Sequence, residues 1–183
     1  ARDGTGNVTV TEYFAEMSQD VLHIVGEVTP WIVLDSAAAY YLPAGEYRWP
    51  NRGAHYGEWM SSVFRQADAL VDFGRFDNDG PDGVPNSGDD DGVVDMLWIM
   101  YATNCRGEWK NGFLWPGGGQ LYYGSSDPAA SGGTIRVGPG VFMNAQQGAV
   151  CAPVYSGVLA HETGHAFGLP DLYDYDFSSN GVG

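Results

Sequence analysis

Basic residues are scarce in this sequence. Eight Lys and Arg stand against 23 Asp and Glu, a net charge of −15, and Lys110 is the sole lysine. Such a surface repels phosphate backbones and anionic lipid, which excludes nucleic-acid and membrane-surface roles. Long apolar runs are also missing. The longest, residues 96–102, is far short of the roughly 20 residues that cross a bilayer, so no transmembrane segment is expected. The first residues, Ala1-Arg2-Asp3-Gly4, have no apolar core of a signal peptide. Cysteine is limited to Cys105 and Cys151, too few for a disulfide scaffold and without metal-site spacing. They are either two buried thiols or one Cys105–Cys151 disulfide. The disulfide is the reading adopted, and it requires an oxidising compartment.

What is present is the composition of a folded domain. With 183 residues, 44 % hydrophobic and 14 % aromatic, the chain can bury a sizeable core as a single domain over 1–183. Thr9-x-x-Glu12 is a capping-box pattern, followed by Tyr13, Phe14 and Met17 at helical spacing, and predicts a helix over 9–18. Residues 21–28 and 31–34 read as strands separated by Pro30. Residues 58–72 place Trp59, Val63, Phe64, Ala67, Leu70 and Val71 on one side of an amphipathic helix. Residues 93–102 suggest a strand buried on both faces, 134–137 and 141–145 two short strands, and 155–167 a helix stopped by Gly168. The alternation predicts an α/β (α+β) domain built around a mixed sheet.

The helix over 155–167 carries His161-Glu162-Thr163-Gly164-His165. Positions i and i+4 lie one above the other on a helix, so two imidazoles converge on one metal while the intervening glutamate stands beside it. Zinc in a catalytic site takes three protein ligands and keeps one position open. Gly168 lets the chain turn, and Asp171 then arrives six residues after His165 as the expected third ligand; Asp174 and Asp176 are neighbouring carboxylates. Glu162 is the expected general base, taking a proton from the attacking water and passing it to the leaving amine. Gly164 inside a helix costs up to about 1 kcal/mol relative to alanine, which suggests close packing there.

The segment His161-Glu-Thr-Gly-His-Ala-Phe-Gly-Leu-Pro-Asp-Leu-Tyr-Asp174 resembles the zinc segment of the immune inhibitor A type metalloproteases, the M6 peptidase family. Upstream, residues 10–14, Gly26-Glu27-Val28-Thr29-Pro30-Trp31, Phe76-Asp77-Asn78-Asp79-Gly80 and Asp91-Gly92-Val93-Val94-Asp95 are similar to further parts of that catalytic domain. The resemblance implies a secreted zinc endopeptidase acting on protein or peptide substrates and made with a propeptide. It implies a metzincin-like (zincin) fold, a mixed twisted sheet with a backing helix and an active-site helix. It assigns His161, His165 and Asp171 to zinc and Glu162 to the base. Two features depart from the metzincin pattern. The third ligand is Asp171 rather than histidine, and no methionine turn follows the motif, since all five methionines (17, 60, 96, 100 and 143) precede it. The C-terminal subdomain is therefore expected to be truncated here, with further segments beyond residue 183.

Seven aspartates and no basic residue lie between Asp77 and Asp95, among glycines at 80, 83, 88 and 92. Hard oxygen donors in a flexible loop suit Ca²⁺, although the EF-hand signature is not matched. Asp77, Asp79, Asp91 and Asp95 are the expected calcium ligands. This loop also supports a second reading, a calcium-dependent extracellular binding module with a structural or vestigial zinc site. Against it, a purely structural zinc has no use for Glu162.

Overall fold

The computed structural model describes residues 8–41, 55–102, 117–118, 123–138, 140–144, 146–147, 152–153, 156–171 and 178. Helix α1 spans Val10–Met17 and begins as its sequence dictates. The Glu12 N–H donates to Thr9 Oγ1 at 3.2 Å, and Glu12 Oε2 accepts the Thr9 N–H at 3.0 Å. Two of the otherwise orphaned first-turn donors are thereby satisfied. Val10 and Phe14, four apart, are buried, whereas Tyr13 and Met17 face solvent. Gln19 and Asp20 both adopt positive φ and turn the chain out of the helix.

The next segment differs from its expectation. Residues 21–28 and 31–34 form no strand, and no described strand pairs with them. The alternation is real in part: Leu22 and Ile24 pack inward while Val21, Val25, Val28, Trp31 and Val33 are exposed. Period-two patterning specifies which side chains face the protein, but it carries no information on whether a partner strand is available. Here the backbone is held instead by side chains of α1 and its turn, Thr11 Oγ1 donating to the Ile24 carbonyl and Leu22 N–H to Ser18 Oγ.

A short helix α2, Ala38–Tyr41, leads towards α3, Tyr56–Asp68. Helix α3 buries Tyr56, Trp59, Met60 and Phe64, with Val63 and Ala67 partly covered. It ends four residues earlier than periodicity suggests. Val71 still reaches the core but Leu70 is exposed, because the chain passes into a 3-10 turn, Phe73–Phe76, capped by Asp72 Oδ1 on the Gly74 N–H.

The strands, in chain order, are β1 (Trp98–Tyr101), β2 (Gly117–Gly118), β3 (Tyr123–Pro128), β4 (Thr134–Val137), β5 (Val141–Asn144), β6 (Gln146–Gln147) and β7 (Ala152–Pro153). One sheet has the order β1-β5-β2, with β1 parallel and β2 antiparallel to β5, and Trp98 opposite Val141. The antiparallel pairs β3-β4 and β6-β7 form two further sheets. The apolar run 93–102 is therefore not a single strand buried on both faces. Its first half lies beside β4, where Val94 N–H donates to the Arg136 carbonyl and Arg136 N–H to the Gly92 carbonyl. Its second half joins β5, Ile99 pointing inward and Met100 39 % exposed. The run changes sheets at residues 95–97, so its continuous hydrophobicity reflects two different burials. At the entry to β5, a Cβ on Gly140 would stand 3.2–3.4 Å from Leu97, and glycine permits that approach.

The main core joins α3, the 3-10 turn and β4 around Trp59, Met60, Phe64, Phe73, Ile135 and Val137. Phe64 stacks on Tyr123 of β3 at 5.5 Å between centroids, and Asp68 at the end of α3 accepts the Ser126 N–H at 2.9 Å. The last element is α4, Ser156–Ala166, which packs against α1 and against β5 and β2. A smaller cluster of Val10, Phe14 and Ala160, with Leu22, Ile24, Trp98 and Leu159, joins α1 to α4. Helices and strands thus form one mixed α+β arrangement. The two cysteines, Cys105 and Cys151, lie outside the described residues, as do Asp174 and Asp176.

Candidate metal centre

Helix α4 presents His161 and His165 one turn apart, with ring centroids 4.8 Å apart and planes at 81°. The helix then closes sharply. Gly168 N–H donates to the His165 carbonyl at 2.9 Å and Leu169 N–H to the Gly164 carbonyl at 3.0 Å, with Gly168 at φ 81°. A left-handed residue after the last turn satisfies late helical carbonyls and reverses the chain, and glycine adopts that conformation without strain.

The reversal brings Asp171 back onto the helix. Asp171 Oδ1 stands 3.0 Å from His161 Nε2 and 3.2 Å from His165 Nε2. One ligand atom from each of the three side chains lies within 4.8 Å of the others. His165 Nδ1 is 2.8 Å from the Leu169 carbonyl, which only accepts, so Nδ1 carries the proton. In the neutral ring Nε2 then bears a lone pair aimed at a carboxylate oxygen. Two lone pairs in that position repel, and a cation between them turns repulsion into ligation. Two imidazole nitrogens, one carboxylate and an outer hydrogen bond that fixes a ring orientation suit zinc. The Leu169 carbonyl is a functional group that motif reading did not single out; its signal is the turn that the Gly168 stop creates.

Glu162 lies between the two histidines in sequence and is 7 % exposed. Burial pushes its pKa up, His161 and His165 pull it down, and Asp171 raises it again. Thr163, wholly buried, donates through Oγ1 to the Leu159 carbonyl at 2.6 Å and faces the packed side of the helix. A Cβ on Gly164 would meet Leu169 Cδ1 at 3.6 Å, an ordinary contact, so among the described residues no tight packing accounts for that glycine.

The structure also sorts the acidic loop. Asp77, Asp79 and Asp91 bring one oxygen each within 4.8 Å of the others. Asp95 is not part of that group; both its oxygens accept the Asn78 N–H, at 3.2 and 3.3 Å. Asp90 is likewise engaged, taking the Gly80 and Ser87 N–H groups at 2.7 Å each. Asp77 is 1 % exposed. Its pKa is raised by burial first and then by the charges of Asp90, Asp91 and Asp79, with a backbone hydrogen bond from Val93 opposing.

Residues 1–183 match the model of the immune inhibitor A peptidase M6 catalytic domain. Immune inhibitor A of Bacillus thuringiensis subsp. alesti is 28 % identical over 200 residues, covering 98 % of this chain and 27 % of that protein. The pre-pro-metalloprotease PrtV of Vibrio cholerae serotype O1 (strain M66-2) is 27 % identical over 192 residues, covering 98 % of this chain and 20 % of its own length. The chain thus spans about a quarter of the first relative and a fifth of the second. With a match over its full length, and with two histidines of α4 met by an aspartate from the turn that follows it, the chain belongs to the immune inhibitor A peptidase M6 family.

Proposed function

We propose that this chain is the zinc-binding catalytic part of a secreted endopeptidase with Glu162 as its general base. The observation that carries the reading is the meeting of His161 Nε2, His165 Nε2 and Asp171 Oδ1, with Glu162 buried on the same helix. These three side chains would hold the metal. Bound there, zinc supplies a Lewis acid that acidifies water and polarises the scissile carbonyl.

Glu162 does the proton work. Its burial makes it a stronger base than a solvated glutamate. It takes the proton of the attacking water and delivers it to the departing amine nitrogen. The Leu169 carbonyl holds the His165 ring in place, with Nε2 turned towards Asp171. The substrates are proteins or peptides, in keeping with the metalloprotease name of the Vibrio relative. That name also marks a precursor form, which supports synthesis with a propeptide and export, and a Cys105–Cys151 disulfide belongs with that compartment. A metzincin-like sheet and segments beyond residue 183 complete the proposal. The match to a peptidase family favours the enzyme over a calcium-dependent binding module.

The experiment compares the longest natural form of the protein with its Glu162→Ala variant, both zinc-loaded, on an unstructured protein substrate. Zinc should remain bound in both, and cleavage should fall by roughly 10²–10⁴-fold in the variant. Loss of zinc together with cleavage would make Glu162 a structural residue instead.

A further inference from the structure

We propose that the acidic loop is a built site for a hard divalent cation, calcium by its donor chemistry, formed by Asp77, Asp79 and Asp91 and without Asp95. It shares no ligand with the histidine centre.

The proximity of their oxygens, not their hydrogen bonds, sets three of the seven aspartates apart. Asp82, Asp89, Asp90 and Asp95 direct their carboxylates at backbone N–H groups of the loop itself: Val84, Asp82, Gly80 with Ser87, and Asn78 respectively. These four shape the loop. Asp79 and Asp91 also accept backbone N–H groups, those of Asp91 and Val93, yet these two and Asp77 still bring one carboxylate oxygen each within 4.8 Å of one another.

An exposed acidic cluster alone proves nothing, since water solvates it. Asp77 is different. It is 1 % exposed, and its Oδ1 is buried with no hydrogen-bond partner among the described residues. Burying a carboxylate oxygen without a donor is unfavourable, and two further carboxylates close to it add repulsion. A cation removes both penalties at once. The spacing fits: oxygens on opposite sides of a calcium ion, each at 2.3–2.6 Å, stand about 5 Å apart. The three oxygens here lie within 4.8 Å of one another. The donor set is all oxygen, which suits a hard cation and not the softer ions that seek nitrogen or sulfur.

The placement gives the ion a task. Residue 77 leaves the 3-10 turn of the main core, and residue 91 precedes the Val93–Arg136 bridge to β4. The Asn86 N–H donates to the Asp77 carbonyl at 2.7 Å, so the loop already doubles back at this point. Calcium would tie its two arms together and fix the entry to β4.

The test is calorimetric titration of the zinc-loaded chain with calcium chloride, alongside melting curves with and without calcium. Parent, Asp79→Asn/Asp91→Asn and Asp95→Asn are compared; Asp79, Asp91 and Asp95 are not fully buried, and circular dichroism checks that each variant is folded. The parent should bind one calcium ion and melt higher with it. The double variant should bind at least about tenfold more weakly and lose most of the melting shift, while Asp95→Asn stays within about threefold of the parent. The proposal is overturned if the parent shows neither heat nor melting shift, or if the folded double variant binds as the parent does. A loss in Asp95→Asn equal to that in the double variant would overturn the ligand set.

Discussion

Phe14 of α1 meets Phe167, one residue past α4, edge to face, with ring centroids 5.4 Å apart and planes at 74°. The contact links the capping-box helix to the end of the metal helix. Phe14 is 8 % exposed and sits with Val10 and Ala160, so truncating it opens a cavity beneath α4. Phe14→Ala should cost about 3 kcal/mol of stability in urea unfolding, and Phe14→Leu less than about 1.5 kcal/mol. Phe167, 42 % exposed, should cost clearly less when changed to alanine than Phe14 does.

Asp171 places one oxygen against both imidazoles, 3.0 Å from His161 Nε2 and 3.2 Å from His165 Nε2. Asp171→Ala should weaken zinc binding by at least about a hundredfold, measured by competition with a chromophoric chelator. His23→Ala, at an exposed histidine whose Nε2 lies 2.9 Å from the Asp20 carbonyl, should leave zinc affinity unchanged. An equal loss in both would place the metal elsewhere.

Gly168 stands at φ 81°, and no described atom lies within 4 Å of a Cβ built there. The cost of a side chain is thus conformational, not steric. Gly168→Ala should lose about 1–2 kcal/mol of stability. It should also weaken zinc binding, because the same turn carries Leu169 and Asp171 to His165. Gly168→Asn should be milder in both readouts, since asparagine tolerates left-handed backbone.

The capping box of α1 makes a pH prediction. Folding lowers the Glu12 pKa, chiefly because its carboxylate accepts the Thr9 N–H. A group whose pKa falls on folding contributes fully above its unfolded pKa and loses that contribution as pH drops through the folded value. Melting temperature should therefore fall less steeply on the acid side in Glu12→Gln than in the parent. Thr9→Ala, which removes the cap itself, should cost about 1 kcal/mol at neutral pH.

How much of this was legible in the sequence depended on how local each feature is. The Thr9–Glu12 box, the His161–His165 pair and the Gly168 stop are written within a few residues, and the structure has all three. Residues 21–34 show the limit. Their alternation marked Leu22 and Ile24 as inward-facing, but a strand needs a partner, and partnership is a property of distant sequence. Residues 93–102 failed for a related reason: one apolar run can be buried by two sheets in succession. In the acidic loop, composition showed seven possible oxygen donors but not which of them the backbone N–H groups would engage. Asp79, Asp90, Asp91 and Asp95 all accept such groups, and which oxygens then converge is decided by the folded loop.

The three metal-site side chains fall within residues 161–171, and this has a bearing on folding. Parallel pairing of β1 with β5 requires the chain to close a long loop, and contacts of that range form slowly. The histidine site needs no such closure. One helical turn and one glycine reversal bring its ligands together, so a chain that has lost its sheets still holds them close in sequence. Binding to such a form offsets part of the stabilisation that a metal gives to the native state. On the proposed zinc reading, metal uptake should therefore follow the order of one helix and its turn more closely than that of the sheet beside it.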